Sequence, residues 1–152
     1  MLLAKNIMTR DVITVHHSAS IRELAKLLSE RGITGVPVTD EENRLLGMIS
    51  MRDVIREEVR RLGAHDEYQD IYELFSSAMS VEEAESSVPQ IWVEEVMSRT
   101  LFTAIEDTPV CDICEMMFQH NLHRIPILRE GKVVGLVTAM DVIRTVADGV
   151  QV

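Results

Sequence analysis

The sequence predicts an α+β fold in which one small unit is written twice. Three observations lead there. The chain aligns with itself at an offset of about 89 residues. Each half mixes a helical-period apolar stripe with short apolar runs of strand length. The same kinds of turn residue punctuate both halves in the same order. A repeat is a stronger guide to architecture than any single motif, because each copy is one supersecondary unit that buries its apolar face against a neighbour. With 152 residues, 46% of them apolar, the chain can bury a real core.

The elements follow in order. NIMTRDVITV (6–15) lies over EVMSRTLFTA (95–104), and opening strands are expected at Val12–Val15 and Leu101–Ala104. A helix follows in each half. Ile21, Leu24, Ala25 and Leu28 form one stripe, and Val110, Ile113, Cys114 and Met117 the other. Ser20 with Glu23 is a capping box, and Gly32 supplies the left-handed residue that ends the first helix. In the second half Thr108 is expected to cap, with Pro109 at the first helical position, and Asn121 stands where Gly32 stood.

Hairpins come next, Gly35–Thr39 with Leu45–Ser50, and Arg124–Leu128 with Lys132–Val137. Helices close the halves at Met51–Leu62 and Ala139–Ala147. Each half is then strand, helix, strand, strand, helix. About 50 residues are marginal alone, so the halves are expected to share a core. The expected organisation is 1–62 for the first repeat, 63–94 for an insert and 95–152 for the second repeat.

Charge separates these parts. The net charge is −10, yet residues 1–61 carry ten basic and nine acidic side chains and residues 99–152 carry five and seven. The nine acidic residues between them face no Lys or Arg. The chain lacks the basic face that a nucleic-acid binder needs. It shows no secretory leader and no apolar run of membrane-spanning length, so a cytoplasmic protein is expected. Its two cysteines, Cys111 and Cys114, suit a reducing compartment. Within the insert, Tyr68, Ile71, Tyr72, Phe75 and Met79 fall on one helical face and predict a connecting helix.

The ends of the repeats carry the chemistry. GMISMRDVI (47–55) and GLVTAMDVI (135–143) both place a hydroxyl where a strand gives way to a helix, and an aspartate three residues on. A helix start presents unpaired N–H groups and a positive dipole end, which suit an anion. Thr138 can cap or meet a phosphate, and Asp141 can accept hydrogen bonds from both hydroxyls of a ribose. Ser50 and Asp53 repeat the pair. The same residues also make a plain capping box, so both roles stay open at this point.

Taken together, the duplicated strand-helix-strand-strand-helix unit, the paired VPV and IPI strands and the repeated G-h-h-[ST]-x-x-D endings resemble a tandem pair of cystathionine-β-synthase-type repeats, the CBS pair or Bateman module. The resemblance covers about 5–61 and 95–148. It implies two pseudo-symmetric repeats packed through their sheets, with two equivalent clefts. It also implies a homodimer, adenosine-type ligands and a regulatory, non-catalytic role acting on an unknown protein partner.

Carried over by resemblance, one cleft combines Thr138, Asp141 and Leu136 with Met8, Asp11, Ile13, Ile33 and Thr34. His123 and Arg124 join it as phosphate contacts, because NLHRIPIL resembles the H-R-hydrophobic-P run of nucleotide-sensing members. This cleft is the first choice. The other combines Met48, Ser50, Arg52 and Asp53 with Met97, Thr100, Phe102, Leu122 and His123, where Phe102 either fills the adenine slot or stacks on a base. The expected ligand is AMP, ADP or ATP, with S-adenosylmethionine as an option and no required cofactor. The rival reading is an oligomerisation scaffold with empty clefts that docks through the acidic insert.

Other constellations read as structural. Cys111-x-x-Cys114 lies within a helix without a second pair, and a thiol sensor is the weakest of the functional readings. His16-His17 follows a strand end and reads as a surface loop, so no metal is expected. The nine methionines read mainly as core filling. No nucleophile–base pair, phosphate-cradling glycine loop or catalytic carboxylate pair is present in the sequence.

Overall fold

A computed structural model describes residues 1–61 and 90–152. The apolar face predicted within the insert, and the end of the third helix at Leu62, lie outside the described residues. The elements are α1 (Ala4–Ile7), β1 (Val15–His16), α2 (Ile21–Arg31), β2 (Gly35–Thr39), β3 (Leu45–Ser50), α3 (Met51–Arg61), α4 (Val93–Val96), α5 (Val110–His120), β4 (Arg124–Arg129), β5 (Lys132–Thr138) and α6 (Ala139–Ala147). The fold is α+β, two copies of one unit.

Helix ends follow the sequence closely. Ser20 Oγ accepts from Glu23 N–H at 3.1 Å, and Glu23 accepts from Ser20 N–H at 2.7 Å. Gly32 ends α2 at φ 62° and Asn121 ends α5 at φ 52°, both left-handed. Thr108 is a correction. The N-cap of α5 is Pro109, with no side-chain cap. Thr108 Oγ1 instead accepts from Ile105 N–H at 3.0 Å, closing the preceding turn. The open N–H at the start of α5 is met by backbone, Val110 N–H donating to Leu2 O at 2.9 Å.

The opening strands are shorter than expected. The first runs parallel to β2 only at Val15↔Val38 and His16↔Thr39. Its counterpart is a single parallel bridge, Ala104↔Ile127. A proline explains this. Met48 spends its own N–H and C=O on Ser98, so its partner Pro37 turns its missing N–H toward β1. Pairing on that side can start only past the proline. Pro126 opposite Leu136 repeats the arrangement.

Each repeat lends its opening segment to the other. One core joins Ala4 and Met8 to Ala104, Ile113, Met117, Ile125, Ile127 and Val137. The other joins Val93 and Met97 to Val15, Leu24, Leu28, Val36, Val38 and Ile49. Backbone bonds tie the exchange at both ends. Ala4 N–H donates to Thr108 O and Val93 N–H to Ala19 O, each at 2.8 Å. Thr9 pairs with Leu136 as Ser98 pairs with Met48, closing the free edges of β5 and β3.

The exchange accounts for the glycine that opens each repeated motif. A Cβ on Gly135 would run into Met8 Sδ, and one on Gly47 would lie 2.6 Å from Met97 Sδ. The glycines make room for a methionine arriving from the other half. Met8 and Met97 are each only 8% exposed and belong to the cores.

Candidate functional site

The β3–α3 junction faces the start and the α5–β4 turn of the second repeat across a cleft of about 540 Å³. That size lies within the ~300–1,000 Å³ range of small-ligand pockets. Met48, Ser50, Arg52, Asp53 and Arg56 line one side, and Ser98, Thr100, Phe102 and His120 through Arg124 the other, with Thr34 between.

This wall gathers most of the residues assigned by sequence to the second cleft: Met48, Ser50, Arg52, Asp53, Thr100, Phe102, Leu122 and His123. It also draws in Thr34 and Arg124, which the sequence reading grouped with Asp141. The reason is position. Thr34 and Gly35 are the repeat partners of His123 and Arg124, and the two pairs meet where the repeats face each other. Arg124 Nη2 donates to Thr34 Oγ1 at 2.7 Å. A Cβ on Gly35 would collide with the Arg124 guanidinium. One arginine thus fills the space that both copies of this position would otherwise share.

Asp53 is positioned by its own helix start. Its Oδ2 accepts from Ser50 N–H at 2.9 Å and from Ser50 Oγ–H at 3.1 Å. Asp141 does the same with Thr138, at 2.8 and 2.6 Å. The capping role is therefore real in both copies, but it uses one carboxylate oxygen. Oδ1 of each aspartate has no hydrogen bond within the described residues. The copies differ in one bond: Asp141 N–H also donates to Thr138 Oγ1 at 3.3 Å, and Asp53 N–H has no such partner in Ser50.

The cleft is locally cationic in an acidic chain. Arg52, Arg56 and Arg124 line it with a single carboxylate, Asp53. None of the three forms an ion pair among the described residues. Arg124 is partly buried, and desolvation pulls its guanidinium below the ordinary value, with the charge of Asp53 opposing. It remains a cation, since arginine does not lose its proton in proteins. Unpaired guanidinium groups in a cleft present forked donors that match phosphate or carboxylate oxygens.

Phe102 stacks on His120 with ring centroids 4.1 Å apart and planes 30° from parallel. The ring lines the cleft.

The remaining residues assigned to the first cleft lie elsewhere. Ile13 and Ile33 pack against the first-repeat core, Leu136 bridges Thr9, and Asp11 is exposed. Arg56, Ser98, His120 and Asn121 were missed by sequence. Arg56 had a signal, since it follows Arg52 by one helical turn and recurs as Arg144. His120 had none, because only the left-handed Asn121 turn brings it to the wall.

Cys111 is exposed and Cys114 partly buried, both free. Burial and the neighbouring Cys111 push the Cys114 thiol above its ordinary value, the opposite of what a reactive thiolate needs. Among the described residues no helix is long and apolar enough to cross a membrane.

Comparison with known proteins agrees with this architecture. A solved CBS domain pair of protein MJ0100, in complex with 5′-methylthioadenosine and S-adenosyl-L-methionine, is 27% identical with a TM-score of 0.73, covering 95% of this chain and 99% of that one. The structure of CBSX2 in complex with AMP is 20% identical with a TM-score of 0.74, covering 97% and 98%. Among curated relatives, the L-aspartate semialdehyde sulfurtransferase of Methanocaldococcus jannaschii is 29% identical over 93% of this chain but 23% of its own length. The homoserine O-acetyltransferase of Methanococcus vannielii is 26% identical over 95% of this chain and 25% of its own length. The chain thus spans about a quarter of those two relatives. The family description "CBS domain" matches twice, over residues 4–60 and 93–148, one match for each repeat. The chain belongs to the CBS domain family.

Proposed function

We propose that the Asp53 cleft binds an adenine nucleotide, AMP, ADP or ATP, and that the bound ligand regulates a protein partner. The observation that carries this is the set of three arginines, none in an ion pair among the described residues, around one ribose-competent aspartate in a cleft built from both repeats. In this reading Asp53 Oδ1 accepts from the ribose hydroxyls. Arg52, Arg56 and Arg124 hold the phosphates, and the base lies toward Met48 and Phe102. The adenosine ligands of the MJ0100 pair support the nucleoside half of the reading. Three arginines suit the several charges of phosphates better than the tail of S-adenosylmethionine, whose one carboxylate comes with a sulfonium and an ammonium that they repel.

Regulation follows from the shared wall. A ligand that touches both repeats favours one arrangement of them, and a coupling of ~1–3 kcal/mol is enough to pass that bias onward. We read the chain as a homodimer. Met140, Ile143 and Val146 leave an apolar stripe on α6, 57–67% exposed, which a second copy would cover.

A melting scan tests the proposal. AMP, ADP or ATP at ~100 times its dissociation constant adds about 2.7 kcal/mol of stability. If millimolar AMP, ADP and ATP all leave the melting point unmoved, the nucleotide reading fails and the scaffold reading replaces it. A shift with S-adenosylmethionine alone keeps an adenosine site but removes the phosphate assignment.

A further inference from the structure

A second polar cluster lies outside the cleft, at the end of β1. Ring nitrogens of His16 and His17 and a carboxylate oxygen of Glu41 lie within 4.8 Å of one another. The three residues come from two segments, the end of β1 with the residue after it, and the turn between β2 and β3. A third segment supports them from behind. Glu94, opening α4, places Oε2 2.6 Å from His17 Nδ1, 77 residues away in the chain.

The surroundings resemble a ligand set with its supports. A metal-bound imidazole almost always has its other nitrogen tied to a carboxylate, carbonyl or hydroxyl, which fixes the ring and its tautomer. Both rings have such a tie. His17 Nδ1 is held by Glu94. His16 Nδ1 lies 2.7 Å from Ser18 Oγ, which accepts from the ring when the proton is on Nδ1, the tautomer that leaves Nε2 to a metal. His16 Nε2 sits 3.2 Å from Glu41 Oε1, and His17 Nε2 has no hydrogen bond among the described residues. Two donor atoms on one tetrahedral zinc, each bonded at ~2.0–2.1 Å, are roughly 3.3 Å apart. The two ring centroids are 4.4 Å apart and their planes are tilted by 36°.

We propose that His16, His17 and Glu41 form a binding site for a divalent transition metal ion of the zinc type, with Glu94 and Ser18 orienting the two histidines. Two imidazoles and a carboxylate suit zinc and its neighbours, whereas magnesium and calcium take oxygen ligands alone. Solvent completes the coordination, because all three side chains reach the surface. The bound ion takes the place of the direct contact between His16 Nε2 and Glu41 Oε1. It ties the end of β1 to the β2–β3 turn and, through Glu94, to the helix that leads into the second repeat. This site does not depend on the nucleotide reading of the cleft.

The test is calorimetric titration of the metal-stripped full chain with zinc chloride, beside the double variants His16→Ala/His17→Ala and Cys111→Ser/Cys114→Ser. Saturable binding near one ion per chain is expected. The histidine variant should lose it and the cysteine variant should keep it. Glu94→Gln should weaken it about 10–100-fold without abolishing it. Cobalt(II) in place of zinc should give visible absorption without a thiolate charge-transfer band. Glu41→Gln, at an exposed turn, gives a second reading should the histidine variant fold poorly, and is expected to weaken binding clearly. Undiminished binding in the histidine variant, loss in the cysteine variant, or absence of saturable binding to the parent chain would each overturn the site.

Discussion

The positions around Asp53 and those around Asp141 share a backbone plan and differ in charge. Both aspartates fold one oxygen back onto a helix start, and both helices receive a carbonyl from the residue ahead of the neighbouring strand, Thr34 O for Met51 N–H and His123 O for Ala139 N–H. Around that frame the copies diverge. Arg52 corresponds to Met140, Arg124 to Gly35, His123 to Thr34 and Phe102 to Ile13. Thr100, uncharged, corresponds to Asp11. Only Arg56 keeps its charge, as Arg144. Duplication preserves geometry because the backbone must pack the same way twice. Side chains at the rim pack against little and are free to specialise, so the Asp53 side has become cationic and the Asp141 side has not.

Several substitutions would break or sharpen this contrast. The largest effect on binding is expected from Arg124→Ala. A hydrogen bond to a charged group contributes ~1.5–3 kcal/mol, so nucleotide affinity by calorimetry should fall roughly 10–100-fold. Arg52→Met, which makes the Asp53 side resemble its partner, should weaken nucleotide binding about tenfold at low salt and less at high salt.

The two motif glycines should differ in stability cost. A Cβ on Gly47 meets a backbone atom among its three nearest neighbours, Ser98 O at 2.8 Å, whereas the three nearest to a Cβ on Gly135 all belong to the flexible Met8 side chain. Gly47→Ala should cost ~1–3 kcal/mol in urea melts and Gly135→Ala less. Equal costs would mean that the exchanged segments are not seated as described.

In the proposed homodimer, Ile143→Glu should shift the sedimentation coefficient from dimer to monomer while leaving the fold intact by circular dichroism.

The smallest effect concerns acid. Arg60 and Arg61 hold the Glu57 carboxyl down to about 2. A depressed carboxylate stabilises the fold above its unfolded value near 4.5, and that contribution fades as pH falls toward 2. The second repeat has Thr145 at the matching position. Glu57→Gln should flatten the acid limb of the stability curve slightly, since the pair is at the surface.

Local chemistry was legible in the sequence. The Ser20–Glu23 box, the left-handed Gly32 and Asn121, and the hairpins all depend on residues a few positions apart. What the sequence hid depends on distant segments meeting. The resemblance carries Met8 and Met97 to the clefts, and only the exchange of opening segments reveals that each is also part of the opposite repeat's core. Thr108 looked like a cap because the cap is normally a side chain, whereas here the backbone of Leu2 supplies the partner. Arg124 was placed on the Asp141 side because strand order does not say which way a residue between the repeats will lean.

The account rests most directly on calorimetry of the full chain with ADP, comparing the parent, Asp53→Asn and Asp141→Asn. It predicts that the parent binds, that Asp53→Asn loses most of the affinity and that Asp141→Asn keeps it. Retained affinity in Asp53→Asn with loss in Asp141→Asn would contradict it.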